Sequence, residues 1–147
     1  MAGTDPNRES TMRFMLLMIP NVYRGGKTDP NFRPDPEAVA TMGRFNQELS
    51  KAGILLALDG LHPPVSGARV GFTAGKAKVL DGPFAEAKEA IGGYFLLKVN
   101  SLDEAVAIAK DCPGLPHGAK VEVRPVMEQC SLSGEAVPEV QLAEATA

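Results

Sequence analysis

Seven residues of this chain have side chains suited to chemistry: His62, Asp81, Glu86, Lys88, Glu89, Tyr94 and Arg124. A histidine works as general acid or base near neutral pH. A carboxylate on its second ring nitrogen would fix the tautomer and stabilise the imidazolium, and Asp81 is the candidate for that role. Each of the two follows an apolar run, so each can hang from a strand end into a common cleft. Arg124 is suited to gripping an anion bidentately. Glu86, Lys88 and Glu89 lie between Asp81 and Tyr94, and with Tyr94 they are the other candidate ligand contacts.

Each of these residues also has a plainer reading. His62 sits beside Pro63-Pro64, where an exposed loop histidine is inert. Asp81 precedes Gly82-Pro83, and aspartate there forms turns through its own backbone or caps the next turn. Glu86, Lys88 and Glu89 fit a solvated face, or one of them pairs with Arg124. His117, between Pro116 and Gly118, reads as a turn residue.

The segment from Asp81 to Phe95 is the most distinctive of the chain: a turn signal, a charged stretch, the Gly92-Gly93 break, then an apolar run. Rigid strands position what their connecting loops carry, so the elements around it matter. Phe14–Ile19 reads as a strand ended by Pro20, apolar on both faces. Residues 20–34 are a loop. Asp35-Pro36 starts a helix as N-cap and first position. Val39, Met42, Phe45, Leu49 and Ala52 fall on one face of it, and Gly53 stops it.

Ile54–Leu58 is a second strand, with residues 59–64 a loop. Arg69–Thr73 and Lys78–Leu80 flank Ala74-Gly75 as a hairpin. Gly93–Val99 is a strand, again apolar on both faces for most of its length. Ser101 and Glu104 form a capping box for a second helix. That helix should turn Leu102, Ala105, Val106, Ala109 and Cys112 inward and stop at Pro113-Gly114. Lys120–Arg124 alternates as a last strand, with Val121 and Val123 opposite Glu122 and Arg124.

The order β-α-β, hairpin, β-α-β predicts an α+β fold: a ferredoxin-like antiparallel sheet with two helices on one face and an inserted β-hairpin. Two helices cover one face only. The strands are apolar on both, so a second copy of the sheet is expected to cover the other, in a homodimer.

With 147 residues the chain fits one domain, expected over residues 12–130, with a disordered extension at 1–11 and a flexible acidic tail at 131–147. The net charge is −3 and the cations are scattered, which argues against a nucleic-acid partner. No apolar run approaches the roughly 20 residues that span a bilayer. The polar first residues lack the apolar core of a signal peptide, so a cytoplasmic protein is expected. Cys112 and Cys130 lie 18 positions apart with no CxxC pair and only two histidines, so free thiols are expected and a metal is not. Gly26-Lys27-Thr28 suggests a phosphate loop. Asn21 stands where its first glycine belongs, and Asp29-Pro30 blocks the helix that must follow. No cofactor is expected.

Together these motifs resemble the YCII-related family, and within it the DGPF branch. The resemblance runs over about residues 12–128. It rests on Met12–Leu17, Ala52–Leu55, Gly60–Pro63, Asp81–Glu89 with Gly92–Tyr94, Pro113-Gly114 and Val121–Pro125. It implies a ferredoxin-like subunit in a dimeric α/β barrel. For function it implies either a small-molecule enzyme with a His–Asp pair in a cavity, or a companion of a sigma-factor regulatory system. Two readings therefore stand. One is acid–base chemistry by His62 and Asp81 on a small anionic or aromatic molecule oriented by Arg124. The other is a non-enzymatic ligand-binding or protein-interaction dimer.

Overall fold

The structure, a computed structural model, describes residues 12–26, 31, 33–82 and 89–128. The expected N-terminal extension and C-terminal tail, and the signature residues from Pro83 to Lys88, lie outside the described residues.

Among the described residues, six strands and two α-helices follow in the order β1 (Met12–Ile19), α1 (Pro36–Lys51), β2 (Leu55–Gly60), β3 (Ala68–Thr73), β4 (Lys76–Asp81), β5 (Gly93–Val99), α2 (Leu102–Lys110) and β6 (Lys120–Pro125). The main sheet has the order β2-β5-β1-β6, antiparallel at every pair. This is the strand order of a ferredoxin-like fold, as the alternation of elements predicts. β3 and β4 form a separate two-stranded ribbon.

Local chemistry sets the helix ends. Asp35 accepts from the Ala38 N–H, Pro36 opens α1, and Gly53 at φ 73° follows its last turn. Ser101 accepts from the Glu104 N–H. The Glu104 carboxylate in turn accepts from the backbone N–H of Asn100, one residue earlier than a standard capping box.

One face of the sheet packs on the helices. Phe14 and Leu16 of β1 and Phe95, Leu97 and Val99 of β5 meet Phe45 and Leu49 of α1 and Ala105 and Ala109 of α2, with Cys112 just beyond. Phe45 stands edge-on to Phe95, with ring centroids 5.8 Å apart. Burying each large side chain of this set contributes about 1.5–3 kcal/mol. The expected helix faces need corrections. Leu102 and Val39, in the first turns of their helices, are exposed, and so is Ala52, the C-cap residue after the last turn of α1. Ile108, absent from the expected face, packs against the core.

Among the described residues, none covers the other face of the sheet. In register order across β2, β5, β1 and β6 it presents a rung of Ala57, Leu96, Met15 and Arg124, and beside it a rung of Asp59, Tyr94, Leu17 and Glu122. Arg13 and Lys98 stand opposite each other at one end. Arg13 also holds Glu128 with two bonds of 3.0 Å, which ties the segment after β6 to β1.

Candidate functional site

The candidate residues are set by one corner of the sheet, where β1 and β2 finish and β5 begins. Backbone bonds close it: the Gly92 N–H donates to Met18 (2.7 Å) and the Leu61 N–H to Gly92 (2.9 Å). Tyr23, in the 3-10 turn Asn21–Gly26, is buried and donates its hydroxyl to the Leu61 carbonyl (3.0 Å). Burial holds its phenol above the ordinary value. Gly92-Gly93 has a packing reason here. A Cβ on Gly93 would come within 2.7 Å of the Asp59 carbonyl oxygen, and one on Gly92 within 2.6 Å of the Pro20 ring. Only glycine lets three chain segments approach this closely.

Within this corner Tyr94 meets Asp59. The Tyr94 hydroxyl donates to Asp59 Oδ2 at 2.8 Å on the uncovered sheet face. That bond first, and the carboxylate charge second, hold the Tyr94 phenol above its ordinary value. Asp59 reaches this face through a β-bulge. Leu55 pairs with Leu97 but Ala57 pairs with Leu96, so Leu56 is an extra residue. The insertion shifts every later residue of β2 to the opposite face. Leu58 turns toward the core and Asp59 toward Tyr94. Asp59 was expected in a loop; the bulge makes it part of the strand, and the alternation of β2 alone could not reveal it.

His62 and Asp81 are both exposed. Asp81 ends β4 opposite Ala68, at the root of the β3–β4 ribbon. The root packs against the turn that follows His62. The Gly82 N–H donates to Gly67 (2.9 Å), and a Cβ on Gly82 would collide with the Pro64 carbonyl. Asp81 and His62 therefore flank the same turn. Among the described residues no hydrogen bond or ion pair joins them.

Glu89 accepts from Lys120 Nζ at 2.8 Å rather than from Arg124. Arg124 stands on the uncovered face beside Glu122, 3.9 Å away, and both side chains are more than half exposed. Glu86 and Lys88 lie outside the described residues. An open cleft of about 300 Å³ lies between α1 and α2, lined by Phe45, Glu48, Ile108 and Asp111 among others. It faces away from the uncovered sheet, and none of the seven sequence candidates lines it.

The motif of the YCII-related domain matches residues 12–129. The chain belongs to the YCII-related family. An uncharacterized protein of Rhizobium meliloti (strain 1021) is 34% identical over 93 residues, which cover 63% of this chain and 75% of that protein. The matched region takes in the whole sheet, both helices and the β3–β4 ribbon, so the corner built around Tyr94 and Asp59 belongs to the family domain. No described helix is long and apolar enough to cross a membrane.

Proposed function

We propose that this YCII-related chain, of the DGPF branch, forms a homodimer with its sheets face to face in a dimeric α/β barrel. It binds a small anionic or aromatic molecule between them. The observation that carries this reading is the chemistry of the uncovered face. Leu96, Met15, Leu17 and Ala57 make an apolar floor, the Tyr94–Asp59 pair stands at one side and Arg124 at the other. An apolar floor with few convergent polar groups is the usual make-up of a small-molecule site. Arg124 would take the anionic end and Tyr94 with Asp59 a polar end. His62, from the adjoining turn, would transfer the proton with Asp81 as its partner.

The separation of His62 from Asp81 favours a second reading, in which the same face binds without chemistry. The protein would then be a ligand-binding or interaction dimer accompanying a sigma-factor system. Thermal-shift screening with small carboxylic acids and phenols tests the binding that the first reading requires. A ligand raises the melting temperature by mass action, and the shift should shrink in Arg124→Ala and Tyr94→Phe. Turnover lost in His62→Ala, with binding retained, would select the enzyme. A wild-type protein that responds to no member of a broad panel would refute the small-molecule reading and leave a protein partner.

A further inference from the structure

The β3–β4 ribbon is exposed along its whole length, at every residue of its two six-residue strands. Val70, Phe72, Val79 and Leu80 are the extreme cases, at 66%, 76%, 67% and 56%. The register sets Val70 opposite Val79 and Phe72 opposite Ala77, so these four share one face with Ala68 and Asp81 at the root. Arg69, Lys76, Lys78 and Leu80 occupy the other. A lone two-stranded hairpin is marginal in water, and an apolar patch of this kind marks a surface made to be covered.

We propose that the β3–β4 ribbon is a dimerisation arm, whose Val70–Phe72–Val79 face packs on a second copy of this chain. The proposal rests on the homodimer reading above and adds to it the element that completes the contact. Two observations identify the occupant. The first is area. A stable dimer takes about 800 Å² from each partner. Four strands at about 4.8 Å spacing and roughly 20 Å length present a face of roughly 400 Å². The sheets alone fall short by half. A two-stranded arm of the same length adds roughly 200 Å² as the arm given and a similar area as the ground on which the partner's arm lands, which closes the gap.

The second observation is character. The Val70–Phe72–Val79 face carries one charge, Asp81 at its root, and the cations Arg69, Lys76 and Lys78 lie on the other face. The docking face therefore suits apolar ground such as the floor of Met15, Leu17 and Leu96 on a second copy. The arm is also rooted by Gly82 and Gly67 at the corner that holds Tyr94 and Asp59, so a dimer built through it brings a second chain to the edge of the candidate site.

Sedimentation of the purified full chain tests the proposal. The wild type should be a dimer at micromolar concentration. The double variant Phe72→Ser with Val79→Thr should weaken the dimer at least tenfold, with its far-ultraviolet circular dichroism unchanged, because neither side chain touches the core. A photoreactive benzoyl-phenylalanine at position 72 should link two copies covalently. A wild-type dimer that the double variant leaves intact, with no link from position 72, overturns the arm and spares the face-to-face dimer. A wild type that stays monomeric overturns both.

Discussion

Tyr94 donates its hydroxyl hydrogen to Asp59 across a β2–β5 rung, at 2.8 Å, on the sheet face opposite the helices. Breaking that bond should change the ionisation of the phenol. Asp59 favours the protonated form of Tyr94, by the hydrogen bond and by its charge. Asp59→Asn removes the charge, so Tyr94 should ionise at lower pH, while Tyr23, raised by burial, should not move. A folded value above the unfolded one binds its proton more tightly. The stability it contributes is therefore complete below about pH 10 and lost as the pH climbs through the folded value. Ultraviolet titration at 295 nm of Tyr23→Phe with and without Asp59→Asn reads the shift directly. Identical titrations would mean that the pair does not persist in solution.

The bulge at Leu56 decides which face Asp59 takes, and deleting that residue tests it. Leu55 pairs with Leu97 and Ala57 with Leu96, so a chain without Leu56 continues as a regular ladder and keeps Asp59 opposite Tyr94. Its Tyr94 phenol should stay raised. Its urea midpoint should lie close to that of Leu56→Ala, which removes only an exposed side chain and should stay within about 0.5 kcal/mol of wild type. A deletion that costs about 3 kcal/mol or more and releases the Tyr94 phenol would mean that β2 slips and leaves the Asp59 carboxylate without a partner in the core.

Gly82 and Gly93 should resist substitution where Gly43 accepts it. A Cβ at Gly82 or Gly93 meets backbone oxygen, of Pro64 and Asp59 respectively, which cannot swing away as a side chain would. Gly82→Ala and Gly93→Ala should each destabilise by about 1–3 kcal/mol. Gly43, inside α1 with open space around it, should gain up to about 1 kcal/mol as alanine. Thermal melts of the three variants rank them. Equal stability for all three would contradict the close approach at the corner.

Much of this was legible in the chain. Asp35-Pro36, Ser101 with Glu104, and Gly53 mark helix ends through chemistry confined to a few neighbouring residues, and the helices begin and end where these signals stand. The strand order followed from the sequence of elements. The Tyr94 partner did not, because a bulge leaves no mark in the alternation Leu55-Leu56-Ala57-Leu58. Tyr23 was missed for a related reason. It lies in a loop by composition, and only the fold brings its hydroxyl to Leu61, 38 positions away. His62 and Asp81 were legible as reactive types flanking one turn. Whether two side chains touch across it depends on angles that residue spacing does not encode.

The tip of the β3–β4 arm carries a local cost that a substitution can remove. Ala74 has φ 53° and Gly75 φ 77°, so both central residues of the two-residue loop are left-handed, as a type I′ turn requires. Alanine in that region costs roughly 1 kcal/mol. Asn-Gly is the preferred pair for this turn, so Ala74→Asn should steady the arm. The arm lies outside the core, so the readout is local. Hydrogen exchange at the amides that pair Val70 with Val79 should slow several-fold, with little change in the global melt. Unchanged exchange would mean that the turn does not limit opening of the arm.

Cys112 reports on a different opening, at the far end of the core. It lies just after α2, buried, with its sulfur 3.7 Å from the Met18 sulfur at the end of β1. Burial raises its thiol above the ordinary range, and a backbone hydrogen bond from Gly114 opposes this in part. A buried, protonated thiol is a poor nucleophile. In a Cys130→Ser background, a disulfide reagent at pH 8 should therefore react with Cys112 much more slowly than with a free cysteine. The rate should rise in proportion to the unfolded fraction as urea is added, because exposure requires α2 to leave the sheet. Gly114→Ala tests the cause. Its added Cβ would sit 3.2 Å from that of Ala119, so the turn that covers the sulfur must shift. Labelling should then quicken before the global transition. A fast reaction of the native wild type would instead mean that α2 opens on its own, and that the core around Phe14 and Leu97 holds together without it.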